Sequence, residues 1–116
     1  MSALVYNIGN IPTLIESDGN GYIRMWEFHT ASLITVMESY PKVELRGICL
    51  WNDNYLFAAG NDNEVKLFNL ISGFVKSFKG HSAIVCCLEK IIHPKYGECL
   101  ISQAIDDKLK IKAPQK

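Results

Sequence analysis

The residues with the greatest chemical reach in this chain are three histidines, four cysteines and two short acidic clusters. His81 sits between Gly80 and Ser82, with Ser102 further along. An imidazole beside a hydroxyl is the raw material of nucleophilic catalysis, provided a carboxylate orients the base. No Ser or Cys here stands in a nucleophile motif, so His81 is expected to be a buried imidazole that ties strands together. His29 and His93 fall in turn-like stretches and are expected in solvent. The three histidines have no His-x-x-x-His spacing, which a metal site would favour. Cys49, Cys86, Cys87 and Cys99 lie in apolar runs without a Cys-x-x-Cys pair. They read as small buried hydrophobes in a reducing compartment, against a disulfide or zinc role. That places the chain inside the cell, in the cytoplasm ahead of the nucleus. Asp18-Gly19-Asn20-Gly21 resembles a calcium loop only in its oxygens. It lacks the alternating ligands and closing Glu, and reads as a tight turn. Asp106 and Asp107 are neighbours on a turn and point apart. No catalytic residue, metal or cofactor is expected.

Length and charge narrow the field further. The 116 residues suit one domain, and 12 basic residues balance 12 acidic ones. A neutral chain lacks the basic face that nucleic acid requires. No apolar run reaches the ~20 residues of a membrane helix. The start, Met1-Ser2-Ala3-Leu4, lacks the charged and apolar regions of a signal peptide.

The elements that position these residues are strands. Tyr22 to Phe28 alternates, with Ile23 and Met25 on one side and Tyr22, Arg24 and Trp26 on the other, a period of two. Further short apolar runs cover 3–8, 13–17, 33–37, 45–51, 55–59, 65–70, 74–78, 84–88, 99–104 and 109–112. Gly, Asn, Asp and Pro separate them. Ala31 to Tyr40 comes nearest to a helix, but Ile34, Thr35 and Val36 are β-branched and Pro41 cuts it short. The expectation is an all-β chain of about eleven strands.

The strands repeat. Gly21 to Phe28, Asn63 to Leu70 and Asp107 to Pro114 align, bringing Arg24, Lys66 and Lys110 into register at spacings of 42 and 44 residues. The pairs Ile23/Met25, Val65/Leu67 and Leu109/Ile111 align with them. A fixed period of this size signals stacked supersecondary units. One four-stranded sheet cannot bury both its faces, but copies packed face to face around an axis can.

On these residues the chain resembles the WD-repeat family of β-propellers. Gly80-His81 stands at the family's Gly-His position, Ser102 on the following second strand, and Asp106 or Asp107 in the next tight turn. Trp26-Glu27, Phe68-Asn69 and Lys112-Ala113 stand at the Trp-Asp positions of three successive copies. Asp62 takes the turn-Asp place in the second copy and Asn20 in the first. The resemblance implies a hydrogen-bonded His, Ser/Thr, Asp and Trp tetrad within each blade. No copy has all four: the third has His81, Ser102 and Asp106; the second has Asp62, with Ala58 for the hydroxyl and Phe68 for the Trp; the first has Trp26, with Glu16 for the Ser. These are degenerate repeats, spanning about 3–39, 45–79 and 83–114, held chiefly by apolar burial.

Three blades are fewer than the ~4–8 that close a ring. The expectation is an incomplete propeller, part of a longer one or completed by another chain, whose third blade lacks its outer strand. Both end sheets should then present an uncovered face. What the resemblance implies for function is a non-catalytic scaffold that holds other proteins or peptides on loops at one rim. Tyr40, Arg46, Asn61 and Ser82 are the expected contact residues. The alternative is recognition of phosphoinositides or a membrane surface, for which Arg46-Gly47 is a faint signal. Neither nucleic acid nor a membrane is the expected partner. The basic residues Arg24, Lys66, Lys110 and Lys112 sit a whole blade apart or at separate points, and form no continuous groove.

Overall fold

Gly9 and Asn10 show how the sheets are made. Their φ angles, 55° and 67°, are both positive, and they join Ile8 to its cross-strand partner Ile11. That is the two-residue type I′ turn, whose twist matches paired strands. It links β1 (Ser2–Ile8) to β2 (Ile11–Ser17). A computed structural model describes residues 2–39, 42–79, 81, 83–104 and 109–112 of the chain. Among them no helix occurs.

The first sheet continues with β3 (Tyr22–Glu27) and β4 (Ser32–Glu38), in the order β1-β2-β3-β4. The second has β5 (Leu45–Leu50), β6 (Tyr55–Gly60), β7 (Val65–Asn69) and β8 (Gly73–Phe78), again in chain order. The third has β9 (Val85–His93), β10 (Gly97–Ala104) and β11 (Leu109–Lys112). Every strand pair is antiparallel. The chain is all-β, and the eleven strands of the described residues form three sheets that do not close on themselves.

Two apolar layers hold the sheets together. In the first, Ile15, Ile23, Met25 and Met37 meet Leu45, Ile48, Leu56, Ala58 and Phe68. In the second, Cys49, Phe57, Ala59 and Val65 meet Val85 and Leu100. Because side chains alternate along a strand, adjacent residues of β6 serve different layers. Leu56 to Gly60 are consequently all buried. Cys49 and Cys99 are buried free thiols.

The third sheet's first hairpin is longer than its apolar run suggested. β9 continues through Glu89 and Lys90 to His93, and β10 starts at Gly97. Lys90 explains the extension. It pairs with Glu98 at 3.6 Å, donates to the Trp51 carbonyl at 2.7 Å and lies over the Trp51 ring. His93, expected in solvent at a turn, ends β9 half-buried, and its Nδ1 accepts the N–H groups of Lys95 and Tyr96 and shapes the turn.

The turn before β3 depends on one glycine. Gly21 has φ of 87°, and a Cβ there would come within 2.8 Å of both Ser39 Oγ and the Val43 carbonyl oxygen. Gly21→Ala should destabilise the chain by about 1–3 kcal/mol in urea unfolding, through the left-handed backbone and the close approach together. Gly47→Ala is the control: a Cβ at Gly47 meets nothing within 4 Å, and its effect should stay within about 1 kcal/mol.

Candidate functional site

Alternating strand direction sends every second turn of a sheet to the same end. The β2–β3 and β6–β7 turns and the β4–β5 connection gather at one rim. Backbone hydrogen bonds tie them there: Ser39 N to Gly21 O at 2.9 Å, Leu45 N to Asp18 O at 3.1 Å, and Asn61 N to Glu44 O at 2.8 Å. A shallow cleft of about 440 Å³ opens between them, lined by Gly19, Asn20, Tyr22, Lys42, Val43 and Glu44.

The exposed side chains of this rim form a polar chain. Lys42 Nζ donates to the Tyr22 hydroxyl at 2.8 Å and lies 4.6 Å from its ring centroid. The Tyr22 hydroxyl holds the Lys42 ammonium in its charged form and raises its pKa. Arg46 Nε donates to Asn61 Oδ1 at 3.3 Å, and its guanidinium lies 3.6 Å from Glu44. Arg46 and Asn61, expected to act at one rim, are thus neighbours. Tyr40 and Ser82 lie outside the described residues. Sequence reasoning missed Tyr22, Lys42 and Glu44 as a group. Lys42 and Glu44 flank an apolar residue after a Pro in an ordinary surface loop, and only the fold sets them beside Tyr22.

Beneath the rim, each of the first two sheets anchors a cation of its third strand. Asp18 Oδ2 accepts from Arg24 at 2.7 Å, and its Oδ1 accepts the N–H groups of Asn20 and Tyr22. In the second sheet Asp62 Oδ2 accepts from Lys66 at 2.5 Å, with Ser77 Oγ at 2.9 Å and Glu64 at 3.6 Å. Asn20 was expected to fill the place of Asp62, and in register it does. Its side chain is not what holds Arg24; Asp18 does that instead. Gly60 explains the difference, because it occupies the second sheet's counterpart of Asp18. A Cβ at Gly60 would come within 2.6 Å of Asp62 Oδ1. The second sheet leaves that space open and folds a carboxylate back into it. The first sheet grows the carboxylate from the position itself.

The remaining tie residues serve the interior. Trp26 Nε1 donates to Glu16 Oε1 at 3.0 Å, joining the second and third strands of the first sheet. Phe68, with no N–H to give, is fully buried and meets Phe74 edge-on. His81, in the segment before β9, places its Nε2 2.8 Å from Ser102 Oγ on β10. Ser102 is only 2% exposed, so the pair suits pinning better than attack on a substrate. Asp106 lies outside the described residues. The Trp-Asp positions cap the next turn. Glu27 accepts the N–H groups of His29 and Thr30, and Asn69 accepts those of Ile71 and Ser72. Of the basic residues, Arg24 is paired and Lys66 is fully buried. Among the described residues no group of three His, Cys, Asp or Glu side chains is placed to hold a metal ion.

Known structures share this geometry. The crystal structure of the WD40 β-propeller domain of Doa1 superposes with a TM-score of 0.74 at 18% identity, over 87% of this chain and 32% of that one. The fold is that of WD40 propeller blades. This chain spans about a third of the Doa1 chain it matches. No protein-family model matches, and no curated protein does.

Two measurements test the anchors. Burial raises the Asp18 carboxyl pKa, but the Tyr22 N–H, the Arg24 guanidinium and the Asn20 N–H outweigh it, and the net direction is downward. A carboxyl depressed in the folded state stabilises above its unfolded pKa, and that stability is lost as pH falls through the folded value. The urea midpoint should therefore drop below about pH 4, and Asp18→Asn should flatten that decline. Asp62→Ala leaves the buried Lys66 with less compensation and should cost about 3–5 kcal/mol. Adding Lys66→Met should recover part of that loss, a non-additivity that a double-mutant cycle reads directly.

Proposed function

We propose that the chain is a non-catalytic interaction scaffold whose rim of loops holds other proteins or peptides. The WD40 propeller fold commonly serves as a protein-interaction scaffold and is typically non-catalytic. The observation that carries the reading is the rim itself. Tyr22, Lys42, Glu44, Arg46 and Asn61 present an aromatic ring, two cations, a carboxylate and an amide from strand ends and the loops beside them, fixed by backbone hydrogen bonds. Loops held by a rigid β-scaffold are where recognition residues concentrate, and aromatic and arginine side chains carry much of the energy. The proposed setting is the cytoplasm, where the buried thiols of Cys49 and Cys99 would stay reduced. Burial pushes the Cys49 thiol pKa up, so it is not primed to react.

Arg46 decides the matter experimentally. It is 46% exposed, so Arg46→Ala should leave the melting temperature within about 2 °C. A photo-crosslinker at position 42 should trap a protein or peptide partner, Arg46→Ala should reduce that yield several-fold, and a crosslinker at Asp53 on the far rim should trap none. A marked fall in melting temperature would return Arg46 to a structural role. Binding to phosphoinositide vesicles in flotation, lost in Arg46→Ala, would replace the protein partner with a lipid surface.

A further inference from the structure

Arg46 stands where the ladder of the second sheet slips. Leu45 is opposite Gly60 and Gly47 is opposite Ala59, which leaves Arg46 as the extra residue of a β-bulge at the head of β5. A bulge takes one residue out of the pairing and re-aims its side chain. Leu45 beside it is fully buried, yet the Arg46 side chain is 46% exposed. The third sheet has the same bulge: Val85 is opposite Ala104 and Cys87 opposite Gln103, with Cys86 left over. The bulge is thus a property of the repeat and does not itself call for an arginine.

The hydrogen bonds of that arginine are unevenly used. Its Nε donates to Asn61 Oδ1 at 3.3 Å, and the Asn61 N–H is itself tied to the Glu44 carbonyl at 2.8 Å. That bond, on the inner nitrogen, restrains the guanidinium plane. Nη2 lies 3.6 Å from Glu44 Oε1, beyond hydrogen-bonding reach. Among the described residues the two outer nitrogens donate to nothing. A guanidinium with a restrained plane and an open outer edge has the geometry that takes a carboxylate through two parallel hydrogen bonds.

The neighbouring charges narrow the choice of anion. Lys42 offers a second cation, bonded to the Tyr22 hydroxyl and 3.8 Å from Glu38. Glu44 lines the cleft with Lys42 and stands beside Arg46. A polyanion laid along this rim would meet Glu38 and Glu44 at like sign. A single carboxylate on a protein segment need displace only Glu44, and an exposed ion pair is weak enough to exchange. We infer that the rim recognises a carboxylate of its protein partner, taken by the outer edge of Arg46, with Asn61 as the positioning residue and Glu44 as the group displaced. The carboxylate belongs to an acidic side chain or to a chain terminus. This rests on the partner-binding reading above and adds the chemistry of the contact.

A soluble random peptide library, made once as free acids and once as C-terminal amides, tests it when the peptides that co-elute with the full chain are identified by mass spectrometry. Enrichment in Asp and Glu in both forms assigns the carboxylate to a side chain. Retention of the free-acid form alone assigns it to the terminus. For a retained peptide, Arg46→Ala should weaken binding about tenfold or more, since hydrogen bonds between charged groups are the strong ones. Arg46→Lys should not restore it, because an ammonium lacks the planar fork. Glu44→Gln should tighten binding several-fold. Asn61→Ala should weaken binding in the parent chain and change nothing in Arg46→Ala, a coupling that a merely structural asparagine would not show. Basic or uncharged peptides that are retained by the parent and lost in Arg46→Ala would overturn the carboxylate and leave the partner-binding reading in place. Acidic peptides held equally by Arg46→Ala would also overturn it. Retention of no peptide at all would remove both.

Discussion

The inner strands of the central sheet are packed on both faces, and most of the molecule follows from that. Leu56 to Gly60 point alternately into two apolar layers, so β6 must be apolar at successive positions where an edge sheet alternates. Ala58 and Ala59 put the smallest side chains on opposite faces at neighbouring positions, where sheets pack from both sides. A cation on β7, an inner strand of that sheet, cannot reach solvent. Lys66 accordingly meets Asp62, Glu64 and Ser77 within its own sheet. A buried charge costs several kcal/mol unless it is paired and hydrogen-bonded, so Lys66 and Asp62 are tolerable only together.

The rim is a consequence of the same stacking. Once apolar faces fix the sheets side by side, the turns at one end come within hydrogen-bonding reach of the connections between sheets. Gly21 lets the backbone around Val43 lie against the β2–β3 turn. Asn61 and Leu45 complete the lacing through their N–H groups. The side chains above it are then free of structural duty and need only stay in water. Tyr22, Lys42, Glu44 and Arg46 illustrate this, since their bonds to one another are exposed, and exposed ion pairs contribute little to stability.

The sheets were legible in the sequence because alternation and turn chemistry are local signals. Gly9-Asn10 marks a hairpin by itself, and Ile23 and Met25 declare a buried face without any knowledge of the neighbouring sheet. The repeat carried the architecture, since Arg24, Lys66 and Lys110 could be aligned before any strand was placed. What escaped was three-dimensional. Asp18 and not Asn20 partners Arg24 because Asn20 carries no carboxylate and the Asn20 and Tyr22 N–H groups hold Asp18 over β3, a turn geometry that strand alternation does not state. Lys90 extends β9 only because Trp51 stands beside it, 39 residues earlier in the chain. The cluster of Lys42 with Tyr22 spans 20 residues and two loops. No window of sequence contains both ends of such a contact.

The polar ties show what the repeat demands. Glu16 with Trp26, Asp62 with Lys66 and His81 with Ser102 are chemically unlike pairs, yet each fixes a strand residue, to the neighbouring strand, to a turn and to the segment before β9 in that order. A polar group beside an apolar layer must be paired, whatever its type, because an unpaired one costs about 1–3 kcal/mol. That requirement is met by any donor and acceptor of matching reach. An indole with a carboxylate, an ammonium with a carboxylate and an imidazole with a hydroxyl all qualify. Degeneracy at these positions is therefore no sign of a weakened fold. It is what a scaffold permits when apolar stacking supplies the cohesion and the ties have only to leave no charge or hydrogen-bonding group stranded.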